Sequence, residues 1–241
     1  MALSAGRSGA ISFSFPGLPQ IKCVFTTRET GNVSLLDRNG EDREKALLAR
    51  ERLFASLKVD SWSELKQVHG DMLVCNSGPT EVDAAGETEA DGHATDAKNH
   101  ALMVKTADCQ PILLAHPDGY VGAVHAGWRG NVLEFPRTAV ELFCKRYGLN
   151  PADVRAVRGP SLGYAEFVNF SREWPSSFTP WFDSSTNCVD LWSLTRQQLR
   201  DAGLKNGNIY GVDFCTYSQN ESFFSHRRGD TGRQVGIIWR T

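Results

Sequence analysis

At 241 residues, with 41% hydrophobic and 22% charged side chains, the chain has an ordinary globular composition and ample length for a core. A formal net charge of −2 gives no general attraction to nucleic acid or anionic membranes, and no apolar run approaches membrane-spanning length. The six cysteines (Cys23, Cys75, Cys109, Cys144, Cys188 and Cys215) lie far apart with no CxxC pair, which argues for a reducing, cytoplasmic setting and mostly buried thiols rather than a disulfide framework.

The opening MALSAGRSGAISFSFPG lacks a continuous apolar run, so no signal peptide is expected. Residues 11–15 and 21–25 alternate as strands around a Pro16-Gly17-Leu18-Pro19 break. A polar loop with Arg28 follows. Residues 41–57 carry helical spacing, with Leu47, Leu48, Phe54 and Leu57 on one side and acids in the first turn. Arg50 and Arg52 on that helix read most simply as solvated. Gln67-Val68-His69-Gly70 leads into a strand over 72–75. Residues 76–90 read as an acidic surface loop, 90–96 as a second polar loop, and 101–105 as a strand.

The next stretch, 106–130, organises the rest. Apolar runs at 111–115 and 120–124 are split by His116-Pro117-Asp118-Gly119, where Pro presets φ, Asp bonds the backbone ahead and Gly takes the left-handed position. A hairpin folded about Asp118 sets His125 opposite Pro111, two residues from Cys109, on one face. A loop one residue longer would reverse the parity.

Residues 132–147 are helical in spacing (Ala139, Leu142, Phe143), with Pro136 either starting or kinking the helix and Gly148 ending it. A strand at 154–157 follows the Asn150-Pro151 cap. Residues 171–187 are loop-like, with Trp174, Trp181 and Phe182 pinned to the body. Asp190 caps a helix over 191–202 that turns Leu191, Leu194 and Leu199 inward. Strands at 208–214 and 236–239 flank an arginine-rich loop. Strands outnumber helices without strict alternation, and neither repeat nor linker is visible. The expectation is therefore an α+β fold in a single domain, 1–241.

Of six histidines, His69 and His125 sit beside glycine or small residues at strand edges, where a ligand can approach. His100 and His116 read as solvated. Cys109, after an aspartate in a polar turn and near Arg129 and Trp128, is an accessible thiol beside a cation. Two chemistries follow. Cys109, His125 and a third ligand hold Zn²⁺ with an open position, or Cys109 is a nucleophile with His125 as its base, as in a cysteine hydrolase or deamidase.

The motifs Gln67-Val68-His69-Gly70, Ala90-Asp91-Gly92, Thr106-Ala107-Asp108-Cys109 and Val124-His125-Ala126-Gly127-Trp128-Arg129-Gly130 resemble those of the YfiH/laccase-domain family. So do Gly159-Pro160-Ser161-Leu162-Gly163, Cys215-Thr216-Tyr217, Phe223-Phe224-Ser225-His226-Arg227-Arg228 and Thr231-Gly232-Arg233. The resemblance implies a β-sandwich flanked by helices. It also implies zinc on His69, Cys109 and His125, and phosphorolysis of adenosine, inosine, guanosine and methylthioadenosine with some adenosine deamination. The family was long described as a copper polyphenol oxidase. Phe167-Val168-Asn169 and Ser218 depart from its usual pattern.

Copper fits the residues less well. No His-X-His pair exists, and a blue-copper site would need Met72 or Met103 as axial ligand. The nucleobase-deaminase signature is also absent. The expected enzyme takes a purine nucleoside and inorganic phosphate. Arg129, and less so Arg28 and Arg50, would bind the phosphate. Asp108 reads either as a salt-bridged turn residue or as acid/base and partner of a ligand histidine.

Overall fold

The strands that carry the center of the chain are apolar at nearly every position, and such strands need cover on both faces. The structure, a computed structural model, describes residues 3–6, 9–35 and 40–241. Part of the N-terminal stretch in which no signal peptide is expected, residues 1–2 and 7–8, lies outside them. In chain order come β1 (Leu3–Gly6), β2 (Ala10–Phe13), β3 (Ile21–Thr26), α1 (Gly40–Leu57), β4 (Ser61–Glu64), β5 (Leu73–Cys75), β6 (Gly92–Thr95) and β7 (His100–Thr106). The central hairpin is β8 (Gln110–Ala115) and β9 (Val121–Ala126), followed by α2 (Trp128–Val132), α3 (Phe135–Tyr147), β10 (Arg155–Arg158) and β11 (Tyr164–Glu166). The chain closes with α4 (Phe170–Glu173), β12 (Phe182–Asp183), β13 (Cys188–Asp190), α5 (Leu191–Asp201), β14 (Ile209–Gly211) and β15 (Gln234–Arg240).

Two six-stranded sheets, β1-β2-β3-β15-β7-β4 and β14-β10-β8-β9-β6-β5, stack face to face, and a small sheet β11-β13-β12 stands beside them. Phe13, Phe25, Leu102, Val104 and Ile238 of the first sheet meet Leu113, Ala115, Val121, Ala123 and Val157 of the second. The alternate residues point outward: Ala101, Met103 and Ile237 pack under Leu53 and Leu57 of α1. On the other side Ile112, Leu114, Val124 and Ala126 pack under Phe135, Val140, Phe143 and Leu199 of α3 and α5. The helix-flanked β-sandwich is therefore as expected. All six residues of β8 and all six of β9 are buried.

Several local expectations are corrected. Residues 92–95 of the supposed polar loop form β6, buried throughout, because the strand pairs with β9 on one side and β5 on the other. Gly92 lets the strand pack closely there: a Cβ would lie 3.0 Å from the Phe135 ring and 3.3 Å from Leu73. The buried stripe of α1 is Ala46, Ala49, Arg50, Leu53 and Leu57, so Leu48 is exposed and Arg50 is a core residue. The helix over 132–147 breaks at Glu134, in the left-handed region at φ 55°, and Pro136 opens α3 proper; Leu142 is exposed. His100 and His116 are buried, not solvated. His100 bonds Ser61 Oγ at 2.7 Å and Ser63 Oγ at 2.6 Å, and His116 Nδ1 accepts from the Asp118 amide at 3.2 Å. Residues 171–187, read as loop, contain a short helix, a 3₁₀ turn and β12, with Trp174 buried among aromatics. Asp190 does cap α5, accepting from Ser193 N at 3.0 Å. All six cysteines are free.

Candidate metal centre and its two cavities

β8 and β9 pair Pro111 with His125 in the expected register, which leaves Cys109 at the open end of the hairpin beside that histidine. Asp108, at φ 85°, turns the chain so that the thiol faces inward. Its carboxylate anchors the 215–228 loop, accepting from Thr216 Oγ1 (2.7 Å), Ser225 Oγ (3.0 Å) and Arg227 N (2.7 Å).

His69 comes from the loop before β5 and is also left-handed, at φ 62°. This conformation is uncommon outside glycine and needs support from its surroundings. Asp91 supplies it: Oδ1 accepts from His69 N (3.0 Å), and Oδ2 from Val68 N (3.1 Å) and Gly70 N (2.7 Å). The same Oδ1 lies 2.7 Å from His125 Nδ1, which leaves Nε2 of that ring for a ligand. His69 and His125 meet edge to face with centroids 4.9 Å apart. Gly127 closes the cluster, since a Cβ there would stand 3.0 Å from Cys109 Sγ and 3.1 Å from His69 Cδ2. The donor atoms of His69, Cys109 and His125 all lie within 4.8 Å of one another.

Electrostatics favors the thiolate. Burial pushes the Cys109 thiol up, but the charge and hydrogen bonds of His125, and then of His69, bring it down to about 6. Burial pushes His125 down, and the opposed Cys109 and Asp91 raise it to about 9. Burial also raises Asp91, but bonds from His125 and the Gly70 and Val68 amides hold it below the usual carboxylate range. A deprotonated sulfur and two imidazoles, one oriented by a buried carboxylate, fit a zinc-type ion with a coordination position open. Among the described residues this is the one such group of three, a donor set that would suit one ion rather than a multicopper cluster. Neither candidate axial methionine lines a cavity at the cluster: Met72 is exposed, and Met103 lies in the core under α1.

Two cavities meet at the cluster and share His69, Ala107, Cys109 and His226. The smaller, about 220 Å³, is lined by Lys66, Gln67, Lys105, Thr106 and Arg233. The larger, about 470 Å³, is lined by Trp128, Arg129, Leu162, Phe167 and Arg227.

The structure thus brings His69, Cys109 and His125 together and puts Asp108 and Arg129 on the larger cavity. Arg129 is exposed, its guanidinium 4.6 Å from the Trp128 ring. Arg28 and Arg50 line neither cavity. Arg28 is spent on Asn220 O, Phe223 O and Asp230. Arg50 is fully buried and engaged by Glu64 and the carbonyls of Val33, Val82 and Ala84. The histidine-orienting role considered for Asp108 is filled by Asp91. Asp91 went without a role in the sequence because its neighbors read as loop; the Ala90-Asp91-Gly92 motif was its one signal.

The family described as multi-copper polyphenol oxidoreductase laccase matches residues 22–241. The chain belongs to this laccase-domain family. Among its relatives, a protein of Xylella fastidiosa named purine nucleoside phosphorylase is 36% identical over 214 residues, 79% of this chain and 76% of its own. The Escherichia coli protein named purine nucleoside phosphorylase YfiH is 33% identical over 250 residues, covering 93% and 97%. Among solved family structures, Bacillus licheniformis YfiH superposes with a TM-score of 0.83 at 26% identity, over 99% of both chains. Geobacillus stearothermophilus YlmD does so with a TM-score of 0.83 at 28% identity, over 99% and 98%. No helix among the described residues is long and apolar enough to cross a membrane.

Proposed function

We propose that the protein is a zinc-dependent purine nucleoside phosphorylase acting on adenosine, inosine, guanosine and methylthioadenosine, with adenosine deamination as a side activity. The observation that carries this reading is the junction of two unlike cavities at the His69–Cys109–His125 cluster. Trp128 and Phe167, with ring centroids 5.8 Å apart, offer apolar faces suited to a flat heterocycle. The basic cavity on the other side suits an anion. The relatives named purine nucleoside phosphorylase point the same way.

In phosphorolysis the bond from the ribose anomeric carbon to the base nitrogen breaks, its electron pair leaving with the base. A phosphate oxygen forms the new bond to that carbon, and the base gains a proton. His69, Cys109 and His125 would hold zinc, which supplies Lewis-acid polarization when bound. Asp91 fixes the His125 ring. Asp108 fixes the thiol and the 215–228 loop, and so positions the site. Arg129 presents its guanidinium to the substrate in the larger cavity. Six free thiols suit a cytoplasmic setting.

A second reading has its own support. Cys109, His125 and Asp91 also form a nucleophile–base–orienter series, as a cysteine hydrolase would require. His69 has no task in such a triad, which favors the metal reading. The test is turnover of inosine and adenosine with and without phosphate, scoring free base, ribose-1-phosphate and ammonia. Phosphate-dependent base release is expected. Equal release without phosphate would make the protein a nucleosidase, ammonia without free base a deaminase, and no turnover would return the argument to the hydrolase.

A further inference from the structure

The helix α1 arginine expected at the substrate is instead the root of a charge relay that ends in the smaller cavity. Arg50 Nη1 donates to Glu64 Oε2 at 2.6 Å, and both side chains are fully buried. The other carboxylate oxygen of Glu64 receives Lys105 Nζ, and that side chain is 12% exposed. The remaining acceptors of Arg50 are the carbonyls of Val82, Val33 and Ala84, which carry no formal charge. Two cations therefore share one carboxylate, and the triad bears a formal charge of about +1 inside the protein. A buried charge without a counter-charge is unfavorable, and the relief available is an anion at the open end. That end is Lys105. Of its three ammonium protons, one is engaged by Glu64 and one makes a long 3.4 Å contact to Leu65 O.

The wall around Lys105 has the same bias. Lys105, Lys66 and Arg233 line the smaller cavity and no carboxylate lines it, though Lys66 is already paired with Glu89 at 2.8 Å. The adjacent Thr106, 2% exposed, lines it too, and its hydroxyl has no hydrogen-bond partner among the described residues. A buried unpaired hydroxyl is costly unless a ligand engages it. Gln67 fixes the strand at this point. Its Oε1 accepts from Lys105 N at 2.8 Å, and its Nε2 donates to Lys105 O at 2.7 Å.

We infer that the smaller cavity is the seat of inorganic phosphate, with the Lys105 ammonium and the Thr106 hydroxyl as its anchors and the buried Arg50–Glu64 pair as the device that positions Lys105. This rests on the phosphorylase reading for the identity of the anion, and it places phosphate across the cluster from the aromatic cavity. Lysine suits the task as a compact point charge for a tetrahedral oxyanion.

The test is phosphate binding to the purified protein, followed by isothermal titration and by the rise in melting temperature with phosphate at constant ionic strength. A ligand that binds only the folded state raises stability with its concentration. Wild type is expected to bind. Lys105→Met should weaken binding at least about tenfold, Thr106→Val by less, and Lys105→Arg should recover part of the loss. Lys105→Met leaves a neutral Arg50–Glu64 pair, so its melting temperature without phosphate should equal or exceed that of wild type. Equal phosphate affinity in wild type and both Lys105→Met and Thr106→Val, or no binding to wild type, overturns the proposal. The two readings fail separately. Lys105-dependent binding with base release indifferent to phosphate would keep the seat and remove the phosphorylase. Phosphate-dependent turnover with an unchanged phosphate KM in Lys105→Met would do the reverse.

Discussion

Asp91 Oδ1 lies 2.7 Å from His125 Nδ1 and also accepts the His69 amide at 3.0 Å, so one buried oxygen sets both histidines of the cluster. Partners of this kind fix the tautomer and direction of a ligating ring. Asp91→Asn, which keeps the shape but loses the charge, should lower zinc affinity about 10- to 100-fold. Competition with a chromogenic chelator reads this directly. An unchanged affinity would show that His125 holds its orientation without the carboxylate.

The Cys109 thiol gives a pH prediction for the metal-free protein. Burial raises it, and the charge and hydrogen bonds of His125 and His69 bring it down to about 6. Below that value the sulfur is protonated, and above it thiolate. Alkylation of Cys109 by iodoacetamide should therefore level off by about pH 7, whereas an unperturbed thiol near 8.5 is still gaining rate there. In His125→Asn the main charge and hydrogen bond that lower the thiol are lost while its burial remains, so the rise should move to higher pH. Peptide mass spectrometry isolates the rate at this cysteine. A wild-type rate that climbs steadily through pH 8 to 9 would contradict the ion pair.

Arg50 is a stability residue with a reach into the site. Arg50→Met leaves Glu64 buried with Lys105 alone and three carbonyls without their donor. Breaking a buried pair from one side costs about 3–5 kcal/mol. For a chain of this size that corresponds to a fall in Tm of roughly 6–20 °C. The surviving Lys105 pair argues for the lower part of the range, and thermal denaturation measures it. A change within about 2 °C would mean that the guanidinium is better solvated than its burial implies.

How legible the chain was depends on which signal each residue carried. The register of β8 on β9 was readable because Pro117-Asp118-Gly119 sets the loop and parity follows. The convergence of His69 was not derivable that way, since it depends on a left-handed backbone held by a carboxylate more than twenty residues away. Asp91 and β6 were hidden for one reason: buried polar residues such as Asp91, His93 and Thr95 look, in sequence, like a solvated loop. Arg50 misled in the same manner, for a charged residue on the inner stripe of α1 cannot be told from a surface one until Glu64 is placed against it. Lys105 carries no signal of its own, since it stands where an apolar strand ends and a charged residue there reads as solvated.

Arg129 lines the aromatic cavity and is exposed, so its contribution should be modest. Arg129→Ala should lower kcat/KM for inosine about tenfold, the low end of about 1.5–3 kcal/mol for a charged hydrogen bond. Lysine should restore only part, having neither the planar fork nor the stack on Trp128. Steady-state kinetics at saturating phosphate separates this from any effect at Lys105. An unaltered kcat/KM would assign Arg129 to the Trp128 stack alone.

Cys109→Asp separates the metal reading from the nucleophile. A carboxylate is a harder and poorer zinc partner than a thiolate but still a ligand, as zinc sites with mixed histidine and carboxylate donors illustrate. The substitution puts a shorter, charged group where His125 and His69 already favor an anion. If the cluster acts by holding zinc, the variant should bind zinc more weakly than wild type and keep measurable turnover that rises with added Zn²⁺. Wild-type activity should fall with chelator and return with the ion. If Cys109 is instead a nucleophile, the variant should be inactive at every zinc concentration, chelator should leave the wild type unaffected, and substrate should leave a covalent adduct on the sulfur. Turnover, zinc content and intact mass, measured on the same preparations, give opposite patterns for the two. Trapping of that adduct in chelator-treated protein would remove zinc from the mechanism and leave Asp91, His125 and Cys109 as a triad.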